Sequence, residues 1–242
     1  MLRLHSTESR FRDVGLCVAN DYDHEQMDRL YNSYTDPDNP EFDEALREEM
    51  HNYRDLADKN VPQLNKDQRD IFDKVKEALR TGVQELMFVS GDGGTGKFYP
   101  LLGLNLISIT LGKTFLYNTL IAWLKAEGKK VISCASTGVA SILLYEGMTA
   151  HSAFKVPLDV DPHSRADILA ESDLGKLIRE TEVIIIDEIS MLHRDTFAFI
   201  DKQVRALSPR SKRHLAFGGK TVLCSGDFKQ LAPVVVPGGR YE

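Results

Sequence analysis

The spacing of apolar and polar positions divides the chain into a series of predicted helices and strands. Apolar residues recur at helical spacing over residues 41–57, 64–80, 115–128, 164–180 and 190–207. Asn65 is the predicted N-cap of the second of these helices. Short aliphatic runs predict strands at residues 86–89, 129–134, 182–189 and 221–224. Small-residue and Gly-containing stretches predict a turn into a helix at residues 136–141 and a loop over residues 147–157.

The run EVIIIDEI at residues 182–189 indicates the kind of sheet that these strands form. It is almost continuously aliphatic, so the strand is expected to be buried on both faces, as in a parallel sheet. Strands that alternate with helices predict an α/β fold with helices on both faces of a mainly parallel sheet. At 242 residues, the chain is long enough for one large domain and an extension.

Charge separates that extension from the main domain. Hydrophobic residues make up 42% of the chain and charged residues 27%, which is ordinary for a globular protein, and the net charge is −6. Residues 1–60 contain 7 Lys and Arg against 15 Asp and Glu, a balance of −8. The other residues contain 23 against 21, a balance of +2. We therefore expect an acidic, partly disordered extension at 1–60 and a near-neutral domain at 61–242, which leaves room for a local basic groove.

Cysteine and histidine usage argues against disulfides and structural metals. The three cysteines, Cys17, Cys134 and Cys224, are far apart and odd in number, and the seven histidines lack ligand spacing. The N-terminal residues contain no secretory signal, and the most apolar stretch is too short to cross a membrane. We expect an intracellular protein. The nucleus is the expected compartment, and the mitochondrion and the cytosol are the alternatives.

The stretch that follows the first predicted strand resembles a phosphate-binding loop. In GDGGTGK, Gly91 is followed after four residues by Gly96 and Lys97, and such a glycine-rich turn lets backbone N–H groups surround phosphates. The next position normally carries a hydroxyl for Mg²⁺, but here it is Phe98. A second Gly-Lys pair ends at Lys113 and is followed by Thr114. The candidate nucleotide contacts are Gly91, Gly93, Gly94, Thr95, Gly96, Lys97, Lys113 and Thr114.

The residues between the two Gly-Lys pairs, about 97–113, have the character of an insert. Removing the 16 residues 97–112 joins Gly96 to Lys113 and gives GDGGTGKTFLYNTL, a complete loop that enters its helix. Our hypothesis is a short intron read through in frame. The competing interpretation is a genuine insertion that bulges outward, which would leave the whole loop from Gly91 to Lys97 functional with an altered metal site.

Polar side chains at the ends of two predicted strands add chemistry to this loop. Asp187 is suited to holding Mg²⁺ through water, and Glu188 to orienting or deprotonating an attacking water, unless the two are simply surface acids. Gln230 follows the last strand, where it could sense a γ-phosphate or belong to a tight turn. Gln68 is either an exposed polar residue or an adenine contact, since an amide donates and accepts together.

Six motifs in one order resemble the first motor domain of the petite-integration-frequency family of superfamily 1 DNA helicases, and the helicases of rolling-circle (Helitron) transposons are similar. The motifs are LNKDQ, GDGGTGK(T), STGVAS, GMTAHSAF, IIIDEISM and GGKTVLCSGDFKQLAPV, within residues 64–236. The resemblance implies a RecA-like fold, ATP and Mg²⁺ as cofactors, and 5′-to-3′ DNA unwinding. It also implies roles in DNA repair, recombination and telomere maintenance.

The resemblance also assigns roles to individual residues. It implies that Gln68 contacts adenine, that Lys113 (or Lys97) and Thr114 hold phosphate and Mg²⁺, and that Gln230 contacts the γ-phosphate. Asp187 would be the Mg²⁺ ligand and Glu188 the catalytic base. Four residues lie in motifs that touch single-stranded DNA in the family, with hydroxyl and backbone groups for phosphates and an aromatic ring for stacking: Thr137, Gly138, His151 and Phe154.

Two departures from the family pattern qualify this expectation. One is the insert, and the other is that the sequence stops at Glu242, just after the motif that contains Gln230. We therefore expect a fragment that does not unwind DNA by itself. The first alternative is a non-catalytic nucleotide- or DNA-binding module. A second alternative is a small-molecule kinase, although the motifs that contact DNA argue against it.

Overall fold

The computed structural model describes residues 40–90, 105–108, 112–157, 159–160, 164 and 168–227. The chain divides into two compact units, Met1–Glu49 and Met50–Glu242. The described residues of the first unit belong to the start of helix α1 (Pro40–Asn60). The second unit contains the remainder of α1 and all the other elements.

Helix α2 (Lys66–Thr81) begins where the sequence predicts. The Asn65 side chain accepts a hydrogen bond from the Gln68 N–H at 2.9 Å, and the Gln68 side chain accepts one from the Asn65 N–H at 3.0 Å. This capping box satisfies two N–H groups at the start of the helix. Gly82 ends the helix with φ 69°, a left-handed conformation that glycine adopts readily.

Within the described ranges, six parallel strands form one sheet in the spatial order β2-β1-β6-β5-β3-β4. The strands are β1 (Leu86–Ser90), β2 (Asn105–Ser108), β3 (Val131–Ala135), β4 (Met148–Thr149), β5 (Val183–Asp187) and β6 (Thr221–Gly226). Every residue of β5 and β6 is buried, because these strands lie inside the sheet and both of its faces are covered. The predicted parallel α/β fold is therefore confirmed.

Helices cover the sheet on two sides and form two apolar clusters. The helices after α2 are α3 (Lys113–Ala126), α4 (Gly138–Ser141), α5 (Ala150–Phe154), α6 (Asp173–Glu180) and α7 (Arg194–Leu207). On one side, α2 and α3 pack against Val183, Ile185 and Leu223. On the other, α5, α6 and α7 pack against Ile184 and Val222. Alternate residues of one strand thus enter opposite clusters, as the pleat of a strand requires.

Three predicted elements differ from the structure. The predicted loop over residues 147–157 contains β4 and α5, because the Thr149 side chain accepts a hydrogen bond from the Ser152 N–H and starts a helix there. In the described part of residues 164–180, the helix begins only at Asp173, where Ser172 provides the N-cap. Helix α7 begins at Arg194 rather than at residue 190, because a 3₁₀ turn (Ile189–Met191) comes first. No helix among the described residues is both long and apolar enough to cross a membrane.

Candidate functional site

The carboxyl ends of three neighbouring strands lie at one edge of the sheet. Asp187 ends β5, Ala135 ends β3 and Gly226 ends β6. In open α/β sheets this is the edge at which ligands bind. A hydrogen bond and a close approach of two backbone segments define this edge. The Ser136 N–H donates to the Asp187 carbonyl at 3.2 Å, and a Cβ added to Gly226 would lie 2.9 Å from the Ser190 nitrogen.

Asp187 is a buried carboxylate with an uneven set of partners. Its exposed fraction is 5%. One of its oxygens, Oδ1, accepts the Glu188 N–H at 2.8 Å and also the Ser225 hydroxyl. The described residues make no hydrogen bond to Oδ2. The carboxylate is therefore fixed by the protein through one oxygen, while the other can take part in binding a ligand.

Glu188 turns the chain out of β5. It has φ 52° and ψ 41°, which is the left-handed region and is uncommon for a residue with a side chain. Such conformations cost about 1–3 kcal/mol and cluster at functional sites. The Oε1 atom of Glu188 lies 3.5 Å from the Nζ atom of Lys113, and both side chains are largely shielded from solvent. The structure thus brings together two residues that are separated by 75 positions in the sequence.

Lys113 is the first residue of α3, so its backbone N–H lies at the positive end of the helix dipole. Gly112, the N-cap, has φ 85°, and Thr114 follows within the first turn. Backbone N–H groups, a lysine and a hydroxyl at a helix start are the groups that bind phosphate. Of the two lysines that the sequence left open, Lys113 lies beside Glu188, while Lys97 lies outside the described residues, so the choice of Lys113 stays a prediction.

Seven of the predicted site residues lie outside the described residues, so their roles stay predictions. They are Gly91, Gly93, Gly94, Thr95, Gly96, Lys97 and Gln230.

Gln68 lies against the start of α3 rather than on an open surface. Its exposed fraction is 4%. Its Oε1 atom accepts from the Asn65 N–H at 3.0 Å, and its Nε2 atom donates to the Gly112 carbonyl at 3.1 Å. The interpretation of Gln68 as an exposed polar residue is therefore wrong. The amide connects α2 to the beginning of α3, and its contact with adenine stays a prediction.

The four predicted DNA contacts divide into three accessible positions and one core position. Thr137 is the N-cap of α4, where its hydroxyl oxygen accepts the Ala140 N–H at 3.2 Å. Gly138 is exposed, with no atom within 4 Å of a Cβ added there, and His151 is half-buried. Phe154 has an exposed fraction of 0% and packs in the apolar cluster beneath α5. Its ring cannot stack on a base from this position, which corrects the role expected from its residue type.

Three polar residues near the site were not found by sequence reasoning. Ser225 bonds Asp187, and the hydroxyl of fully buried Tyr117 has no hydrogen-bond partner among the described residues. Asn118 holds the segment after α4, since its amide donates to the Leu143 carbonyl at 2.8 Å and accepts the Tyr145 N–H at 2.8 Å. The available signals were the position of Ser225 at the end of a strand and the four-residue spacing from Lys113 to Tyr117.

Comparison with known proteins identifies the family. The sequence profile of the PIF1-like helicases matches residues 107–242, more than half of the chain. The chain belongs to the PIF1-like helicase family. The resemblance inferred from the six motifs is thereby confirmed. Among solved structures, a Pif1 helicase from Bacteroides in complex with ADP-AlF3 and ssDNA aligns over 72% of this chain and 34% of its own, with 28% identity and a TM-score of 0.51.

Curated relatives in the PIF1-like family are much longer than this chain. An ATP-dependent DNA helicase Pif1 of a Psychrobacter species is 36% identical over 167 residues, which are 65% of this chain and 21% of that protein. The ATP-dependent DNA helicase PIF3 of Trypanosoma brucei brucei is 30% identical over 208 residues, which are 86% of this chain and 21% of that protein. The chain thus spans about a fifth of the length of these relatives.

Proposed function

We propose that this chain supplies the nucleotide-binding motor domain of an ATP-dependent DNA helicase that moves 5′ to 3′ on DNA. Membership in the PIF1-like family supports this function. The observation that carries it is the approach of Lys113 Nζ to Glu188 Oε1 at 3.5 Å, next to Asp187 at the ligand-binding edge of the sheet. A phosphate-binding lysine, a metal-binding acid and a general base are the groups that phosphoryl transfer needs.

The ion pair between Lys113 and Glu188 can be replaced by contacts with ATP. In the structure, the Glu188 carboxylate offsets the charge of Lys113. The phosphates of ATP carry a larger negative charge, so Lys113 can bind them in place of Glu188. Glu188 then orients the attacking water or accepts a proton from it. Its position directly after Asp187 supports this role.

The side chains at this edge fit a Mg²⁺ ion. Magnesium prefers oxygen ligands and keeps several waters, so one carboxylate and one hydroxyl suffice from the protein. Asp187 has an oxygen without a hydrogen bond among the described residues, and the buried Ser136 hydroxyl nearby has no partner there either. Asp187 and Thr114 would hold the ion, which would neutralise charge on the transferred phosphoryl group.

Single-stranded DNA is the proposed nucleic-acid partner. A Pif1 structure that this chain resembles contains ssDNA, and curated relatives are DNA helicases. Thr137 and Gly138 are near the surface at the end of β3, where a hydroxyl and a backbone N–H can meet a phosphate. Asn118 joins the segment that follows these residues to α3, the helix that starts at Lys113. This contact provides a direct connection between the proposed nucleotide and DNA surfaces.

The substitution Glu188→Gln tests the proposal. It removes one negative charge beside the phosphates, so ATP is expected to bind about fivefold more tightly, from about 1 kcal/mol for a charge pair at 4 Å in water. Hydrolysis in a single turnover should fall by about 10²–10⁴-fold, because the general base is lost. Binding is measured by calorimetry, and hydrolysis by release of phosphate with and without ssDNA.

Glu182→Gln is the matched control. Glu182 precedes the same strand and pairs with Lys129 at 3.1 Å, but it lies at the opposite end of β5. It should change neither ATP binding nor hydrolysis. ATP binding with no hydrolysis in the unaltered chain would favour the non-catalytic module instead. Equal hydrolysis by the parent and Glu188→Gln proteins would contradict the assignment of Glu188 as the base.

A further inference from the structure

We propose that Tyr117 and Ser225 are positioning residues that orient the Asp187 carboxylate for the metal ion. This inference rests on the proposed function and extends it to two hydroxyl groups beneath the site. Neither of them belongs to the groups that would touch the nucleotide.

The sheet places Ser225 beside Asp187. Cys224 on β6 pairs with Ile186 on β5, so the next residue of each strand, Ser225 and Asp187, lies at the same level. Leu223 and Ile185, two positions earlier on each strand, belong to the cluster under α3. Since strand residues alternate between faces, Ser225 and Asp187 also face α3.

Ser225 helps to determine which carboxylate oxygen of Asp187 accepts hydrogen bonds from the protein. The Ser225 hydroxyl and the Glu188 N–H both donate to Oδ1, and no described residue bonds Oδ2. Two donors on one oxygen fix the plane of the carboxylate group. Without the serine hydroxyl, the carboxylate keeps a single donor and can rotate, so the oxygen intended for the metal loses its direction.

Tyr117 lies one helical turn after Lys113 on α3, on the same face of the helix. Lys113 reaches Glu188, and Tyr117 belongs to the apolar cluster that contains Ile185 and Leu223, two positions before Asp187 and Ser225 on their strands. The pKa of the Tyr117 hydroxyl reflects this position: burial raises it well above its usual range, the negative charge of Asp187 raises it further, and the Ser225 hydroxyl opposes both. The phenol therefore lies in the same cluster as the residues that lead into the pair, and the charge of Asp187 influences it.

Core packing does not explain the Tyr117 hydroxyl. The side chain is fully buried, and its oxygen makes no hydrogen bond of normal geometry among the described residues. Phenylalanine would fill the same space without burying an unpaired hydroxyl, which is unfavourable. Ser225 has donated its only proton to Asp187, so its oxygen retains lone pairs that can accept the proton of Tyr117. The structure does not contain this second bond, so the donation from Tyr117 to Ser225 is part of the proposal, in which the three side chains form one line of hydrogen bonds when the metal ion binds.

The first arm of the experiment uses the full chain without nucleotide. Ser225→Ala, Asp187→Ala and the double variant are unfolded in urea. We expect Ser225→Ala to lower the midpoint in the parent protein but not in the Asp187→Ala background, because its hydroxyl then has no carboxylate to fix. Tyr117→Phe should leave the midpoint unchanged or raised. Equal effects of Ser225→Ala in both backgrounds would overturn the proposal.

The second arm measures the Mg²⁺ dependence of binding of a fluorescent ATP analogue. Tyr117→Phe and Ser225→Ala should each raise the Mg²⁺ concentration at half-effect by about tenfold, as is typical when a group that orients a metal ligand is removed. Binding without metal should not change. A loss of affinity in the absence of Mg²⁺, or an unaltered Mg²⁺ dependence, would contradict the positioning role.

Two matched controls remove buried hydroxyls elsewhere. Ser133→Ala removes a strand hydroxyl that bonds the Tyr145 carbonyl at 2.9 Å, and Thr119→Val removes one on α3 that bonds the Phe115 carbonyl at 2.7 Å. Neither should shift the Mg²⁺ dependence, and a shift as large as that of Tyr117→Phe would overturn the proposal. If the unaltered chain bound no nucleotide at all, the proposed function would fail, while the unfolding arm would still decide whether Ser225 holds Asp187.

Discussion

At the scale of single residues, the site depends on two backbone conformations that most residues avoid. Glu188 has φ 52° and Gly112 has φ 85°. Glu188 adopts it with a side chain, which the hydrogen bond from its N–H to Asp187 Oδ1 helps to hold. Gly112 adopts it at no steric cost and allows Gln68 to approach the start of α3. Both Glu188 and the residue before Lys113 therefore have a left-handed backbone conformation.

The substitution Gly112→Ala should be unusually destabilising. A Cβ there would lie 2.8 Å from Gln68 Nε2, and the left-handed backbone adds about 1–2 kcal/mol for any residue other than glycine. We expect the free energy of unfolding to fall by about 2–3 kcal/mol, measured in urea. Nucleotide binding should weaken as well, because Lys113 is the next residue.

Gly82→Ala provides the control for backbone strain alone. Gly82 has φ +69°, close to that of Gly112, but no atom lies within 4 Å of a Cβ added there. It should therefore show the conformational cost without the collision. Equal losses of stability in the two variants would mean that the contact between Gly112 and Gln68 has no structural importance.

At the scale of elements, a buried lysine joins α6 to β6 at the edge of the sheet opposite the site. The Lys220 Nζ atom donates to the Thr181 carbonyl at 2.7 Å and to the Arg179 carbonyl at 3.0 Å, near the C-terminal end of α6. A positive charge is favourable at that end of a helix. Burial nevertheless lowers the pKa of Lys220 to about 8, and the positive charge of Lys212 lowers it in the same direction.

Lys220→Met should change how stability depends on pH. The lysine binds its proton less tightly in the folded protein, with a pKa of about 8, than at the ordinary value of 10.5. The unfolded chain therefore binds more protons in this window, so Lys220 makes stability increase from about pH 8 to about pH 10.5. The variant should lose this contribution. At pH 7, it should also lose about 1–3 kcal/mol, because two buried carbonyls lose their donor.

Urea unfolding across this pH range measures the effect, with Lys212→Met as the control. Lys212 is exposed and is the nearby charge that lowers the pKa of Lys220. Removing it should raise that pKa and shift the increase in stability to higher pH. Identical pH profiles for the parent and Lys220→Met proteins would show that the ammonium group of Lys220 does not have the environment described.

At the scale of the whole molecule, sequence patterns predicted the features that depend on neighbouring residues in the sequence. They missed the features that depend on how distant residues pack together. The aliphatic run at residues 182–189 predicted β5 and placed Asp187 and Glu188 at its end. Nothing in the sequence indicated that Lys113 and Glu188 would lie 3.5 Å apart, because that contact joins two residues that are distant along the chain. Nor could it predict the burial of Phe154, since an aromatic in a helical turn can face either solvent or core.

The insert shows the same limit. Part of it, β2, pairs with β1 in parallel at the edge of the sheet, with Met87 opposite Asn105 and Ser90 opposite Ser108. Pairing between strands is a non-local interaction, and apolar content alone could not reveal it. The insert therefore has a structural place beside β1, but α3 still begins only at Lys113.

The affinity for Mg·ATP, measured by calorimetry, tests most directly the central claim that Lys113 is the phosphate-binding lysine. We expect the full chain to bind weakly, and a variant lacking the 16 residues 97–112 to bind clearly more tightly, because Gly96 then leads directly into Lys113 and Thr114. In that variant, Lys113→Ala should abolish binding. Tight Mg²⁺-dependent binding by the full chain that is lost in Lys97→Ala and kept in Lys113→Ala would contradict the account.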